Sequence, residues 1–158
     1  WESTLAEKLI KKLKKKNYKV KLIDGDIFRK KKKYKNSFSK QSIISNNLNI
    51  IKYLDKIKNN YDYIIVSVIS PILITRKKAK KIFKKKYFEI YVNCKISTLK
   101  KRDTKGLYKK ADLKIIKNLI GYNSKVKYEK SDYAVTNINT DLLTMNESVI
   151  KILKKLKI

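Results

Sequence analysis

The residues that most constrain the fold are 62–67, where Asp-Tyr-Ile-Ile-Val-Ser forms a nearly continuous run of β-branched and aromatic side chains. Such a run is typical of a parallel strand buried on both faces of a sheet. The following Ile69-Ser70-Pro71 stops the strand, because proline has no N–H to donate to a neighbouring strand. Amphipathic patterns with helical spacing lie on both sides of this run. Strands that alternate with helices indicate an α/β fold built on a parallel sheet.

The same periodicity assigns the remaining elements. Apolar residues at helical spacing predict helices over 3–16, 39–59, 74–85, 97–101, 111–119 and 145–156. Strands are predicted over 19–23, 62–67, 87–92 and 133–136. Thr144 and Glu147 form a capping box for the last helix. In the helix over 39–59, the residues predicted to face inward are Ile43, Ile44, Leu48, Ile51, Leu54 and Ile57.

An acidic segment, Asp24-Gly25-Asp26-Ile27-Phe28-Arg29, follows the first predicted strand. We expect Gly25 to let the backbone turn sharply there. Ligands of open α/β sheets bind beyond the carboxyl ends of the strands. Two carboxylates there can hold hydrated Mg²⁺ or take a proton from a hydroxyl, and Arg29 offers a planar fork for phosphate. The alternative is a surface turn with a helix cap, since Asp-Gly is a common turn signal.

Composition narrows the possible chemistry. The chain of 158 residues has no histidine and one cysteine, which excludes histidine bases, histidine-ligated zinc and an intrachain disulfide. A single cysteine, Cys94, fits a reducing cytoplasm, and we expect it to be a packed core thiol. The longest apolar run, residues 63–74, is interrupted and too short to cross a bilayer, so no membrane partner is expected. No signal peptide is expected either, because the sequence shows no such pattern.

The net charge of +29 would ordinarily suggest nucleic acid as a partner. Only three of the 42 basic residues are arginine, however, and lysine is scattered through every segment. This pattern indicates a compositional bias, and the chain contains no recognisable nucleic-acid motif. The rare residues are therefore more informative. A retained arginine among so many lysines suggests a need for fork geometry, and the rare residues cluster in residues 24–29, 69–71 and 102–108.

In these motifs the chain resembles adenylylsulfate kinases, P-loop phosphotransferases that move the ATP γ-phosphate to the 3′-hydroxyl of adenosine 5′-phosphosulfate (APS). The most specific match is the stretch 102–111, Arg-Asp-Thr-Lys-Gly-Leu-Tyr-Lys-Lys-Ala. Supporting matches are Leu22-Ile23-Asp24-Gly25-Asp26, Phe38-Ser39, Ile69-Ser70-Pro71, Lys117-Asn118 with Gly121, and Tyr128-Glu129. The resemblance covers essentially the whole chain and implies a P-loop NTPase-type parallel sheet with flanking helices.

The resemblance implies roles for the donor side of the reaction, with ATP and Mg²⁺ as cofactors. Ser3 corresponds to the hydroxyl that binds Mg²⁺, and Thr4 to its neighbour at the phosphate-binding helix start. Asp24 is the metal-positioning carboxylate, and Asp26 is the base for the acceptor hydroxyl. The lid that closes over ATP corresponds to Arg102, Lys105 and Lys109, with Gly106 permitting its movement.

On the acceptor side, the resemblance implies that Arg29 grips the phosphosulfate and that Phe38 stacks on the adenine. Asn46 and Lys117 are the further acceptor contacts that it implies. Ile69 and Ser70 form the acceptor wall, and the family's serine at this position has been proposed as a phosphoserine intermediate. We expect direct in-line transfer instead, because phosphoryl transfer depends mainly on positioning and charge neutralisation.

The chain departs from the family pattern at the P-loop and in the acceptor site. Glu2 stands at the P-loop lysine position, Trp1 precedes it, and the glycines of the loop are absent. We therefore expect residues 1–158 to be a single, N-terminally incomplete domain that lacks the first, central strand and binds ATP poorly. Acceptor positions that carry Asp-Arg, a further arginine and an aromatic ring in the family are Ser42-Ile43, Leu48 and Leu119 here.

Three functions remain open. The first is an APS kinase of sulfate assimilation that acts on a small nucleotide substrate in the cytoplasm. A homodimer is a possible assembly of this enzyme. The second is a related kinase for another nucleotide-like acceptor, such as cytidine diphosphoramidate in polysaccharide biosynthesis, which the altered acceptor residues favour. The third is a non-catalytic basic protein that binds nucleic acid or an acidic partner, against which the dispersed lysines and few arginines argue.

Overall fold

A computed structural model describes residues 2–31, 39–103 and 105–158. The chain divides into two compact units: Trp1–Ser70 with Ile74–Tyr87, and Pro71–Leu73 with Phe88–Ile158. The expectation of a single domain over 1–158 stays a prediction. No helix in the described ranges is long and apolar enough to cross a membrane. Parallel strands with flanking helices confirm the predicted α/β class.

The first unit is built on a parallel pair of strands, β1 (Val20–Asp24) and β2 (Tyr63–Ser67). Their register runs from Val20 opposite Tyr63 to Asp24 opposite Ser67, so both strands end at the same level. The helices are α1 (Glu2–Lys15), α2 (Gly25–Lys31), α3 (Lys40–Ile57) and α4 (Leu73–Phe83), with short 3₁₀ turns at Lys58–Asn60 and Lys84–Lys86.

Helix α1 buries Leu5, Leu9 and Leu13, which lie on one face at i, i+4 spacing. It ends in a Schellman motif, where Asn17 adopts a left-handed φ of 63° and Tyr18 N–H bonds Leu13 O at 3.2 Å. Only residues 16–19 separate α1 from β1, and α1 packs on both strands. The start of α1 and the end of β1 therefore lie at the same end of the unit.

The core of this unit joins Ile23 of β1 to Ile50 and Leu54 of α3, with Phe28, Ile64 and Val66 packed against them. The predicted inward face of α3 is partly wrong. Ile44, Leu48 and Ile57 are only half-buried, because the helix turns a face containing Asn46, Asn47 and Ile50 toward the interior. Two carboxamides therefore occupy positions that a count of apolar residues assigns to the surface.

The second unit contains the parallel pair β3 (Ile90–Asn93) and β4 (Thr136–Asn139) and the helices α5 (Ile96–Lys101), α6 (Leu107–Asp112) and α7 (Met145–Leu156). Ile138, Val149 and Ile152 are almost fully buried. The predicted capping box of α7 is confirmed, since Thr144 Oγ1 accepts from Glu147 N–H and Glu147 Oε2 accepts from Thr144 N–H.

Two predicted elements of this unit are wrong. The helix over 111–119 does not form, because α6 ends at Asp112 and Lys114 adopts a left-handed φ of 58°. The last strand lies at Thr136–Asn139 and not at 133–136, because Tyr133 donates its hydroxyl to Glu89 Oε2 while Ile138 supplies the buried position.

Candidate active site

The acidic segment begins α2, which starts at Gly25 directly after β1 ends at Asp24. Asp24 Oδ1 accepts from Asp26 N–H at 2.9 Å and from Ile27 N–H at 3.1 Å, as a capping carboxylate does. This is the helix cap that was the alternative interpretation of the sequence. The cap uses one carboxylate oxygen, so it leaves Asp24 with a second oxygen that can act as a ligand.

Gly25 is required for a different reason than the one predicted. It does not have a left-handed φ, which in the described residues occurs among glycines only at Gly106 and Gly121. A Cβ at Gly25 would lie 2.6 Å from Val68 Cγ2 and 3.4 Å from Ser67 O. The missing side chain therefore lets the first turn of α2 lie against the residues that follow β2. This contact brings the acidic segment close to the Ile69-Ser70 segment.

Asp26 and Arg29 lie one turn apart on α2, and Arg29 Nη2 is 3.5 Å from Asp26 Oδ1. The Asp26 side chain is 69% exposed and that of Arg29 is 22% exposed. At that distance the pair is weak. The exposed Asp26 carboxylate is therefore accessible to a ligand.

The first turn of α1 carries Ser3, which is half-buried, and Thr4, which is exposed. The start of α1 lies toward the end of the unit where β1 terminates, which is also where Asp24 lies. The dipole of this helix favours an anion at its start, whereas the carboxylate of Glu2 in the first turn opposes one. A hydroxyl, a carboxylate and a helix start are thus gathered at one end.

Ser70 lies in a frame of buried polar groups. Asn47 Nδ2 donates to Ser70 Oγ at 2.9 Å, and Ser70 Oγ lies 3.1 Å from Thr75 Oγ1. Arg76 Nη1 donates to Ser70 O at 2.6 Å. Asn47, Thr75 and Arg76 are 5%, 1% and 5% exposed. Sequence analysis missed this frame, whose available signal was that Arg76 is one of only three arginines.

The predicted acceptor contacts fall in different surroundings. Asn46 is 7% exposed, and its Oδ1 has no hydrogen-bond partner within the described part of the chain. Ile69 is 49% exposed beside Ser70. Lys117 is exposed in the second unit, outside any helix or strand. Phe38 lies outside the described residues.

Arg102, in the second unit, is engaged with the end of β4. Its Nη1 donates to Thr140 Oγ1 at 3.1 Å, and its Nη2 donates to Thr140 O at 2.9 Å. Arg102 Nη1 also lies 3.7 Å from Cys94 Sγ. Cys94 is half-buried, not fully packed, and its Sγ lies 3.4 Å from Asp141 Oδ1. The two bonds to Thr140 hold the guanidinium in a fixed orientation at the end of β4.

The segment from Asp103 to Lys109 is organised by a carboxylate whose role sequence analysis missed. Asp103 Oδ1 accepts from Leu107 N–H at 2.8 Å, and Asp103 Oδ2 accepts from Lys109 N–H at 3.0 Å. Gly106 permits this turn with a φ of 62°. Lys105 and Lys109 are exposed. An open concavity in this unit is lined by Lys100, Lys101, Arg102, Asp103, Gly106 and Lys109.

Lys100, on the wall of this concavity, also stabilises α6. Its Nζ lies 2.8 Å from Asp112 Oδ2 and 4.9 Å from the centre of the Tyr122 ring. The hydrogen bond from Lys100, followed by that from Tyr122, lowers the pKa of Asp112 from its ordinary value. The lowered pKa keeps Asp112 ionised to lower pH, so its ion pair with Lys100 persists as the solution is acidified.

The donor set at the first unit fits Mg²⁺. In the ranges that the structure describes, no group of three or more His, Cys, Asp or Glu side chains could hold a metal. Mg²⁺ in phosphotransferases needs only one or two protein carboxylates, with water and substrate phosphates as the other ligands. Ser3 and the second oxygen of Asp24 match that requirement.

Comparison with known proteins extends these observations. A family model described as adenylylsulphate kinase matches residues 2–139. A probable adenylyl-sulfate kinase of Pyrococcus abyssi is 34% identical over 156 residues, covering 99% of this chain and 88% of that protein. A probable adenylyl-sulfate kinase of Archaeoglobus fulgidus is 35% identical over 140 residues, covering 89% of this chain and 88% of that protein.

Solved structures show the same fold. The Mycobacterium tuberculosis APS kinase in complex with AMPPNP and APS has a TM-score of 0.84 at 21% identity, with 99% of this chain and 91% of that chain covered. A hexameric APS kinase from Thiobacillus denitrificans has a TM-score of 0.66 at 25% identity, with 98% of this chain and 26% of that chain covered. With a family model matching most of its length and relatives above 30% identity, the chain belongs to the adenylylsulfate kinase family.

Proposed function

We propose that this kinase moves the γ-phosphate of ATP to the 3′-hydroxyl of APS, giving ADP and 3′-phosphoadenosine 5′-phosphosulfate. The observation that supports the proposal is the end of the first unit, toward which the start of α1 lies and where the acidic segment packs against Val68, two residues before Ser70. This end offers a hydroxyl and two carboxylates to a metal-bound phosphate and an acceptor alcohol. Family membership supports the choice of acceptor.

In this proposal Ser3 and Asp24 hold Mg²⁺, which when bound neutralises charge on the transferring phosphoryl group. Asp26 accepts the proton of the 3′-hydroxyl, and its exposure leaves it accessible to a substrate. Arg29 binds the phosphosulfate as a planar fork. Thr4 contributes to the phosphate-binding helix start, and Phe38, Asn46 and Ile69 contact the acceptor.

Within the second unit, a group of cations fits nucleotide phosphates. Arg102, Lys105 and Lys109 belong to its cationic concavity or to the capped turn beside it, and Lys117 adds an acceptor contact. Asp103 is a single carboxylate among the four cations that line the concavity, Lys100, Lys101, Arg102 and Lys109. This arrangement favours a polyanion over a neutral ligand.

Transfer is direct in this proposal, with Ser70 as a hydrogen-bonding wall and not as a phosphate carrier. The Ser70 hydroxyl already contacts two buried side chains, Asn47 and Thr75. A phosphate on that oxygen would have to break these contacts.

A related kinase for another nucleotide-like acceptor, such as cytidine diphosphoramidate, is the second candidate. It is favoured by the residues at the altered acceptor positions. Positions 42 and 43 carry serine and isoleucine, so neither offers a charged group to an acceptor. Ile43 is buried, and Ser42 Oγ lies 3.0 Å from Ser39 Oγ. Leu48 and Leu119 are half-buried aliphatic side chains.

The test is ADP release with APS and with cytidine diphosphoramidate as acceptors, at high ATP concentration because Glu2 at the P-loop lysine position is expected to weaken ATP binding. We expect turnover with APS, and Asp26→Asn should lower kcat by about 10²- to 10⁴-fold because the base is lost. Asp55→Asn, at an exposed carboxylate paired with Lys58 on the same unit, is the matched control. Turnover with the cytidine acceptor alone would select the second candidate. Salt-dependent RNA binding without ADP release would contradict both.

A further inference from the structure

Asn47 holds the Ser70 hydroxyl in one arrangement. The carboxamide nitrogen of Asn47 donates at 2.9 Å and therefore occupies a lone pair of Ser70 Oγ. The hydroxyl has only one proton to donate, and Thr75 Oγ1 at 3.1 Å is its second neighbour. Both neighbours are at least nine-tenths buried, so neither can move aside without opening the interior.

The peptide group of Ser70 is fixed as well. Arg76 Nη1 donates to Ser70 O at 2.6 Å, from a side chain that is 5% exposed. The carbonyl group of Ser70 is therefore held from α4, and its hydroxyl is contacted from both α3 and α4. Among these contacts, the bond from Asn47 is the one that links α3 to the residues after β2.

The other half of the Asn47 carboxamide has no evident structural purpose. Asn47 Oδ1 is buried and has no hydrogen-bond partner within the described ranges. Burying an acceptor without a partner is unfavourable, whereas an aliphatic side chain of similar size would avoid this loss. An asparagine here is therefore explained by what its nitrogen does at Ser70.

We propose that Asn47 is a positioning residue, which acts on the acceptor substrate through the orientation of the Ser70 hydroxyl. The inference rests on the proposed function, because Ser70 forms the acceptor wall in it. Asn47 differs from Asn46 in this role. Asn46 has no bond to Ser70 in the described structure, and it is proposed to contact the acceptor directly.

The test is a double-mutant cycle in the 158-residue chain, with APS as the varied substrate and ATP at high concentration because ATP is expected to bind poorly. Asn47→Leu removes the donor at nearly constant volume and should raise the KM for APS about three- to tenfold, with the KM for ATP unchanged. In the background of Ser70→Ala, the same change should have no further effect on that KM. Asn46→Leu should instead add its own effect to that of Ser70→Ala.

Asn47→Asp is the second variant, should the leucine variant fail to fold. An ionised aspartate can only accept, so it should raise the KM for APS at high pH, and protonation should restore a donor and lower the KM as the pH falls. Wild-type KM should lack this pH dependence. Two outcomes would overturn the inference alone, in a wild type that turns over APS. One is additive effects of the Asn47 and Ser70 substitutions on the KM for APS. The other is a KM for APS of the Asn47→Asp variant that does not change with pH. A wild type that does not turn over APS would overturn the proposed function and this inference together.

Discussion

Two of the three arginines bind neutral oxygens in the described structure. Arg76 donates to Ser70 O, and Arg102 directs two nitrogens at Thr140. Arginine retained among so many lysines predicts a need for fork geometry. Arg102 shows that geometry, and lysine could not replace it, because an ammonium cannot direct two fixed donors at one residue. The predicted phosphate contacts of Arg29 and Arg102 remain proposals.

Gly25→Ala tests the close approach of α2 to the residues after β2. A Cβ there would lie 2.6 Å from Val68 Cγ2. We expect the variant to lose about 1–3 kcal/mol of unfolding free energy, measured by urea denaturation, because the contact must be relieved by displacement. In a Val68→Ala background the same substitution should have a much smaller effect. An equal loss in both backgrounds would place the strain elsewhere.

Gly25 shows how much of the role of one residue can be predicted from the sequence. The motif located a special glycine beside a strand end, and that location is correct. The reason differs, because a close approach depends on Val68, which lies 43 positions further along the chain and is brought near by the parallel register. The Asn47–Ser70 bond was missed for the same reason. Contacts between elements are not encoded in local spacing.

At the scale of elements, prediction succeeded where the signal was local. Helix α7 has its capping box and its apolar face within one stretch, and its predicted bounds match. The predicted helix over 111–119 is wrong, because the spacing of its apolar residues does not show where the chain leaves the helix. The chain instead turns through the side chain of Asn123, which accepts from Leu119 N–H and donates to Ile116 O.

The α7 cap also gives a pH prediction. Hydrogen bonds from the Thr144 side chain and backbone lower the pKa of Glu147 below its ordinary value of 4.5. A carboxylate whose folded pKa is lowered stabilises the fold above its unfolded pKa, and this contribution is lost as the pH falls through the folded value. Wild type should therefore be more stable than Glu147→Gln at neutral pH, and the difference should shrink below about pH 4.5.

Urea denaturation of both proteins between about pH 7 and pH 3 measures this difference. Glutamine keeps an acceptor oxygen for the capping box, so the comparison isolates the charge of Glu147. Thr144→Ala removes the cap itself and should lower stability by about 1 kcal/mol. A wild-type advantage over Glu147→Gln that persists unchanged at low pH would contradict the role of the ionised carboxylate.

At the scale of the whole molecule, alternating strand and helix patterns were sufficient to predict a parallel α/β protein. They could not predict that the described strands form two separate pairs, β1 with β2 and β3 with β4. Pairing depends on which strands meet in space, and two strands with similar composition do not specify their partners locally. The sequence of strand types was therefore predictable and the pairing was not.

The charge of the whole chain leads to the last prediction. With 42 basic and 13 acidic residues, the folded chain concentrates a net charge of +29 and repels itself. Raising NaCl from about 0.01 M to about 1 M shortens the Debye length from about 30 Å to about 3 Å, so the Tm should rise. Replacing the exposed Lys84, Lys85 and Lys86 together by glutamine removes three charges outside the proposed site. This variant should have a higher Tm than wild type at low salt and an equal Tm at high salt, as measured by calorimetry. If its advantage were the same at both salt concentrations, the gain would come from local conformation at these residues and not from relief of the overall charge.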